Sequence, residues 1–420
     1  MDKTIFWLWI SLHFGEGSRI YRLLLSHFGN EEKIYNCDDS DLVSINWLSE
    51  SQKYKLLDKN LTHAYEIIEW CDDNRVSVIS YADELYPDSL RKIDDFPAVL
   101  YCYGNMPDFN DSLSIGIVGT RKMSTRGEKN AFTLGYQLSK GGAVTVSGMA
   151  LGIDCTAQMG TLSANGITVA VLGSGIDVIY PKANASLYYE IAKSGAVLTE
   201  YPPSTPPNGR NFPIRNRIIS GLCNGIVVVE GDENSGSMIT ARRAKKQGRD
   251  IFAVPGPAKE YLSAGPNALL KDGAIVAEDA LDILEQYLDK YRDIIDLSAA
   301  KEKARARKFN TDSDSNIIRG LFRKRESSIK TPDKNTFKEF ESRYERAESA
   351  ENSVNIKEKL AELPEDQLKI YNFMPENEAV SAEYFLELGI RIGDIIGLLT
   401  MLEVAHLISS EPGGLYLKRI

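Results

Sequence analysis

The chain has 420 residues, 43% of them hydrophobic and 26% charged, with a formal net charge of −10. At roughly 150 residues per domain the length implies two or three domains, and the composition excludes a wholly disordered or fibrous chain. An acidic whole is not the footprint of a protein that coats duplex nucleic acid through a basic surface, although an average hides local patches.

The apolar run from Thr4 to Leu12 (TIFWLWISL) is nine residues long, well short of the roughly 20 that cross a membrane. With no small-residue cleavage site after it, it reads as a buried helix, and no membrane partner is expected. Helical periodicity runs on through Ile20, Leu23, Leu24, Phe28, Leu56, Leu61, Ile67 and Ile68, so residues 1–75 are expected to form a small helical domain of the SAM or helix-hairpin-helix kind. Its Gly15-Glu16-Gly17 reads as an ordinary helix–helix turn. The alternative is a glycine turn that offers backbone N–H groups to phosphate.

From Ser114 short apolar runs alternate with amphipathic stretches. Expected strands are Ser114–Val118, Ala143–Ser147, Thr168–Leu172, Ala196–Thr199, Gly225–Glu230 and Asp250–Val254; expected helices are Gly127–Lys140, Asp154–Asn165, Asn184–Ser194 and Ser237–Gln247. This is the pattern of an α/β, Rossmann-like, doubly wound and mainly parallel sheet, placed over residues 76–288. Residues 289–359 are charged and poor in apolar groups. Lys301 to Leu360 holds 16 basic against 11 acidic residues, and a flexible linker is expected. Residues 360–420 suggest a winged-helix-like domain, with helices near Glu365–Phe373, Ser381–Leu388 and Gly393–Glu403 and strands at His406–Ser409 and Leu415–Lys418. Its third helix has Arg391, Asp394, Gly397, Leu398 and Leu399, a poor set for reading base edges, so protein contact or regulation is preferred there.

In an open α/β sheet, ligands bind beyond the carboxyl ends of the strands. After the first strand, Gly119, Arg121 and Ser124 outline a phosphate cradle at a helix start, without a Walker or GxGxxG pattern. Gly148 follows the second strand, where Asp154 is expected as a helix N-cap in preference to a catalytic acid. Gly173 and Gly175, read as turn formers, and Lys182, a phosphate contact, follow the third. A proline-rich excursion after the fourth strand presents Arg210, Arg215, Asn216 and Arg217 beside Phe212, a setting for phosphates with a base stacked on a ring. Ser235-Gly236-Ser237 then opens a helix that carries Arg242, and such a start is a natural oxyanion nest. Four basic loops on one edge suit an extended anion.

All four histidines (His13, His27, His63, His406) lie outside this α/β segment, so no Ser-His or Cys-His couple assembles in it. The five cysteines are far apart, odd in number and without a Cys-x-x-Cys pair, which fits a reducing cytoplasm and argues against structural zinc. No catalytic residue, metal or cofactor is expected.

At these loops the sequence resembles the DNA-processing protein A family, also called DprA or Smf. The likeness covers about residues 80–285, where GTR with Ser124, SGMALGID, AVLGSGIDVIYP, FPIRNRIISGL, EGDENSGSMITARRA, FAVPG and GPNALLKDGA stand in order. The resemblance implies a core that binds single-stranded DNA, usually as a homodimer, and helps load the recombinase RecA in natural transformation; single-strand binding protein is a further candidate partner. It also implies DNA contacts at Arg121, Lys182, Arg215 and Arg217. Gln158 departs from the histidine common in the family after GID. A nucleotide-processing enzyme of the phosphoribohydrolase type, with Glu230 or Asp154 as its carboxylate, and a nucleotide sensor stand as alternatives.

Overall fold

The computed structural model describes residues 3–304, 363–375, 380–388, 390, 395, 398, 399, 402, 407–411 and 415–418. Helix α1 (Lys3–Phe14) buries every residue from Thr4 to Ile10, as a helix that is apolar on all sides must. Around it lie α2 (Ile20–Phe28), α3 (Glu31–Asn36), α4 (Asp39–Leu42), α5 (Glu50–Leu57) and α6 (Thr62–Asp73). Asn30, Asp38 and Ser49 cap α3, α4 and α5, their side chains accepting from first-turn amides. These helices are not a separate domain. Trp7 and Trp9 of α1 share one hydrophobic core with Leu100, Val169, Leu198 and Ile219, because a helix apolar all round needs cover on more sides than its small neighbours provide.

The sheet has nine strands: β1 (Val76–Ser80), β2 (Val99–Gly104), β3 (Ser114–Val118), β4 (Val144–Ser147), β5 (Thr168–Val171), β6 (Ala196–Thr199), β7 (Gly225–Val228), β8 (Asp250–Ala253) and β9 (Ile275–Val276). Their order is β1-β2-β6-β5-β4-β3-β7-β8-β9. From β6 to β9 all neighbours are parallel, while β2 runs antiparallel to β1 and β6. The six expected strands are present. β1, β2 and β9 extend the sheet beyond them. Winding proceeds from β3 towards β6 on one side and from β7 towards β9 on the other, so the direction reverses between β3 and β7.

Helices α7 (Asp88–Arg91), α8 (Thr125–Lys140), α9 (Ile153–Ser163), α10 (Ala185–Ser194), α11 (Asn211–Leu222), α12 (Gly236–Lys246), α13 (Ala264–Lys271), α14 (Ala280–Leu284) and α15 (Leu297–Ala300) complete this body. Gly135 and Gly160 let α8 and α9 meet closely: a Cβ at either would strike the carbonyl of Ala157 or of Phe132. Gln158 is fully buried on α9 and donates to the Val169 carbonyl at 3.2 Å; it serves the packing of that helix on the sheet.

The linker expectation is corrected at its start. Residues 289–304 are folded onto the α/β layers: Tyr291 and Ala300 are buried, and Asn224 donates to the Tyr291 hydroxyl at 3.0 Å. Ile295 and Leu297 join the same core, while Arg292, Asp293 and Asp296 stay exposed on the outer side of a packed segment. Residues 305–359 lie outside the described residues.

The second unit has its own core of Ile370, Phe385, Leu399, Leu402 and Ile408. A helix spans Glu365–Phe373, a 3₁₀ helix spans Ala382–Leu388, and strands Val380–Ser381, Leu415–Lys418 and Ile408–Glu411 form a sheet in that order. Of the expected third helix, Arg391, Asp394 and Gly397 lie outside the described residues. Among the described residues no helix is long and apolar enough to cross a membrane.

Candidate functional site

The reversal between β3 and β7 is a topological switch point, where loops from adjacent strands diverge and leave a crevice. A crevice of about 630 Å³ lies there, lined by Gly119, Thr120 and Arg121 after β3, by Phe212, Arg215 and Asn216 of α11, and by Ser235, Gly236 and Ser237 at the start of α12.

Two helix starts flank this edge, and they are treated differently. At α8 the N-cap Ser124 receives the amide of Gly127. The Glu230 carboxylate accepts from both the Ser124 amide, at 2.9 Å, and its hydroxyl, at 2.6 Å. The positive end of α8 is thus already answered by a buried anion. At α12 the N-cap Ser235 makes no side-chain cap, its first turn holds no acidic residue, and its hydroxyl instead pairs with that of Ser237 at 2.8 Å. Gly236 is exposed, with nothing within 4 Å of the place a Cβ would take. The α12 start therefore offers backbone N–H groups and a helix dipole to the crevice.

Cationic groups gather around one ring. The guanidinium carbon of Arg121, an exposed residue, lies 5.3 Å from the Phe212 ring centroid, that of Arg215 5.8 Å, and the Tyr180 ring 5.6 Å. Gly173 makes room for this ring, since a Cβ there would stand 2.9 Å from Phe212 Cδ1. Arg215 is only 4% exposed. Its Nη1 donates to the carbonyls of Gly148, at 2.9 Å, and Val171. Burial lowers its pKa to about 10 against the pull of Asp154, so it stays charged at neutral pH. Asp154 stands one residue into α9, whose N-cap is Gly152, and accepts from the Gly148 amide at 3.1 Å. Burial raises its pKa, opposed by Arg215. The N-cap expectation for Asp154 is corrected: it braces the crevice floor beside Arg215.

Residues 77–288 match the family described as DNA recombination-mediator protein A. This chain belongs to that family. It is 41% identical over 211 residues to the DNA processing protein DprA of Bacillus subtilis, covering 50% of this chain and 71% of that protein. It is 41% identical over 208 residues to DprA of Streptococcus pneumoniae, covering 50% and 73%. An X-ray structure of DNA processing protein A from Streptococcus pneumoniae superposes with a TM-score of 0.59 at 32% identity, over 68% of this chain and 98% of that one.

Of the residues expected to serve this recombination-mediator fold as a site, Gly119, Arg121, Arg215, Asn216, Ser235, Gly236 and Ser237 meet at the crevice, with Gly148 and Gly173 supporting them. Ser124 is committed to Glu230. Gly175 packs in a neighbouring turn, its amide donating to Thr205 at 2.8 Å. Lys182, Arg210 and Arg242 are exposed and outside the crevice lining.

Arg217 is the substantive correction. It is 1% exposed, its Nη2 donates to Glu200, and its Nε lies 3.8 Å from Asp95. The reason is local geometry. Asn211–Leu222 is a helix, in which positions two apart point about 200° apart; when Arg215 faces the crevice, Arg217 faces inward. The prolines hid this helix, although Pro213 sits in its first turn, where its missing N–H costs nothing. Burial works against the Arg217 charge, but Glu200 and Asp95 outweigh it and hold the guanidinium protonated. Replacing Arg217 strands Glu200, a loss of about 3–5 kcal/mol, so it weakens a ligand contact only through the fold.

The Gly15–Gly17 turn closes on the same cluster. Gly17 donates its amide to Glu200 at 3.3 Å, so the anion met by this turn belongs to the chain itself. Beside it, burial and then Glu200 raise the Glu16 carboxyl from 4.5 to about 7, against its own backbone amide and Arg217. The folded chain therefore holds a proton that the unfolded chain releases near pH 4.5, and this group's contribution to stability falls as pH rises through that window. Glu16→Gln is expected to unfold at the same urea concentration as the native chain at pH 4.5 and at a higher one at pH 8. A difference that does not change with pH would contradict this environment for Glu16.

Proposed function

We propose that this family member binds single-stranded DNA in the β3/β7 crevice and acts, without catalysis of its own, as a cytoplasmic homodimer that helps load RecA onto incoming strands in natural transformation. The observation that carries the reading is the open α12 start facing Arg121, Arg215 and the Phe212 ring across one crevice. Backbone N–H groups and guanidinium groups suit phosphate oxygens, and an aromatic ring suits an unstacked base, which a duplex does not present. A crevice of this volume falls in the roughly 300–1,000 Å³ range of small-ligand sites, which suits part of an unpaired strand. The net charge of −10 further disfavours coating of duplex. Glu230 is held by Ser124, and Asp154 by the Gly148 amide beside Arg215, which fits a structural role for these two carboxylates.

Binding to labelled oligo-dT is expected to weaken with salt, by a log–log slope of about −0.7 for each phosphate contacted. Arg121→Ala is expected to cost about tenfold in affinity, the scale of one charged hydrogen bond, and Phe212→Ala about 1–3 kcal/mol. If both variants bind as tightly as the native chain, or if duplex competes equally, the crevice is not the site. The mediator role is checked by RecA assembly on strands coated with single-strand binding protein: this chain should accelerate it, and no acceleration would leave a DNA binder that is not a loader.

A further inference from the structure

Helix α12 carries four cations within five residues, Arg242, Arg243, Lys245 and Lys246, and they are not equivalent. Arg243 lies 3.5 Å from Asp95 and Lys245 2.6 Å from Asp272. Among the described residues, neither Arg242 nor Lys246 has a carboxylate within ion-pair distance, and both are exposed. Their spacing puts them on one stripe with the crevice. Ser235, Ile239, Arg242 and Lys246 follow one another at four, three and four residues, the repeat that lines up along one face of a helix, and Ser235 and Ile239 line the crevice. With a rise of 1.5 Å per residue, Arg242 stands about 4.5 Å and Lys246 about 10.5 Å beyond Ile239 along the axis. The stripe then stops: Arg249, the next cation, turns its Nη2 onto the carbonyls of Ser89 and Gly221, both at 2.9 Å.

We propose that a bound single strand leaves the crevice along this face of α12, with Ile239 packing against a sugar or base at the crevice and Arg242 and Lys246 holding successive backbone phosphates beyond it. This rests on the reading of the crevice as a single-strand site and adds to it a direction and a length. The chemistry is that of the phosphodiester backbone, so the track is indifferent to base sequence. Two unpaired cations in line with an open helix start continue the same charge logic, and the C-terminal end of the helix dipole stabilises Lys246 there without occupying its charge.

The test compares oligo-dT strands of about 4 and about 12 nucleotides, the range of single-strand site sizes, on the full chain. The double variant Arg242→Ala with Lys246→Ala is expected to bind the short strand as the native chain does. It should bind the long strand about tenfold more weakly at low salt, with a log–log salt slope shallower by about 1.4 for two lost phosphate contacts. A control with the same change in net charge, Lys193→Gln with Lys245→Gln, removes two surface lysines already paired with Glu190 and Asp272, and should leave both strands unaffected. If the double variant weakens both lengths equally, or the control weakens the long strand as much, there is no track along α12. If the native chain binds the short strand and gains nothing from length, the crevice reading stands and the track falls. If it binds neither, both fall together.

Discussion

Burying the Arg217 guanidinium and the Glu200 carboxylate costs several kcal/mol for each ion unless the two meet, and that requirement fixes the rotation of α11. The pair sits on the inward face of the helix with Asp95 close by, so the opposite face must present Phe212, Arg215 and Asn216 to the crevice. A turn of one residue, about 100°, would swing Arg217 away from Glu200 and leave both charges buried without their partner. The N-terminal helices take part in this arrangement. Gly17 has φ +69°, and a Cβ there would stand 2.9 Å from Ile214 of α11, so a glycine allows the turn to approach and donate to Glu200. The first helices, the buried ions and the reading face of α11 form one mechanical chain.

The crevice owes its polarity to an asymmetry between two helix starts. Both α8 and α12 begin at the switch point, where the dipoles of a doubly wound sheet favour anions. One start is closed internally by Glu230; the other is left open, with Gly236 exposed and no acid in its first turn. A site built this way directs an anion to one place. An open helix start flanked by Arg121 and Arg215 also reconciles DNA recognition with a chain whose net charge is −10, since the placement of charge sets the local potential that a strand meets.

Much of the α/β layer could be read from the sequence, because short fully buried parallel strands appear as apolar runs and the helices between them end in turn residues. Phe212, the Ser235–Ser237 nest and the GTR loop could be placed at the carboxyl ends of strands for the same reason. The individual directions of the arginines could not, because that depended on seeing α11 as a helix through a proline-rich stretch. Had that helix been recognised, the two-residue spacing of Arg215 and Arg217 would have excluded a shared face. The union of the N-terminal helices with the sheet was also hidden, since α1 shows only that it is buried and not against what. Tyr291, Ile295 and Leu297 are too sparse among charges to announce a packed segment, yet each finds core.

The central claim is that a single strand is held at the switch point by the α12 start and the β3 loop. Backbone hydrogen exchange of the full chain, followed with and without oligo-dT, tests it most directly. The account predicts slowed exchange at residues 119–121 and 235–237 on adding the strand, with no change at the Gly17 amide, whose partner is Glu200. Unaltered exchange at both loops, with protection at the Gly15–Gly17 turn instead, would contradict it.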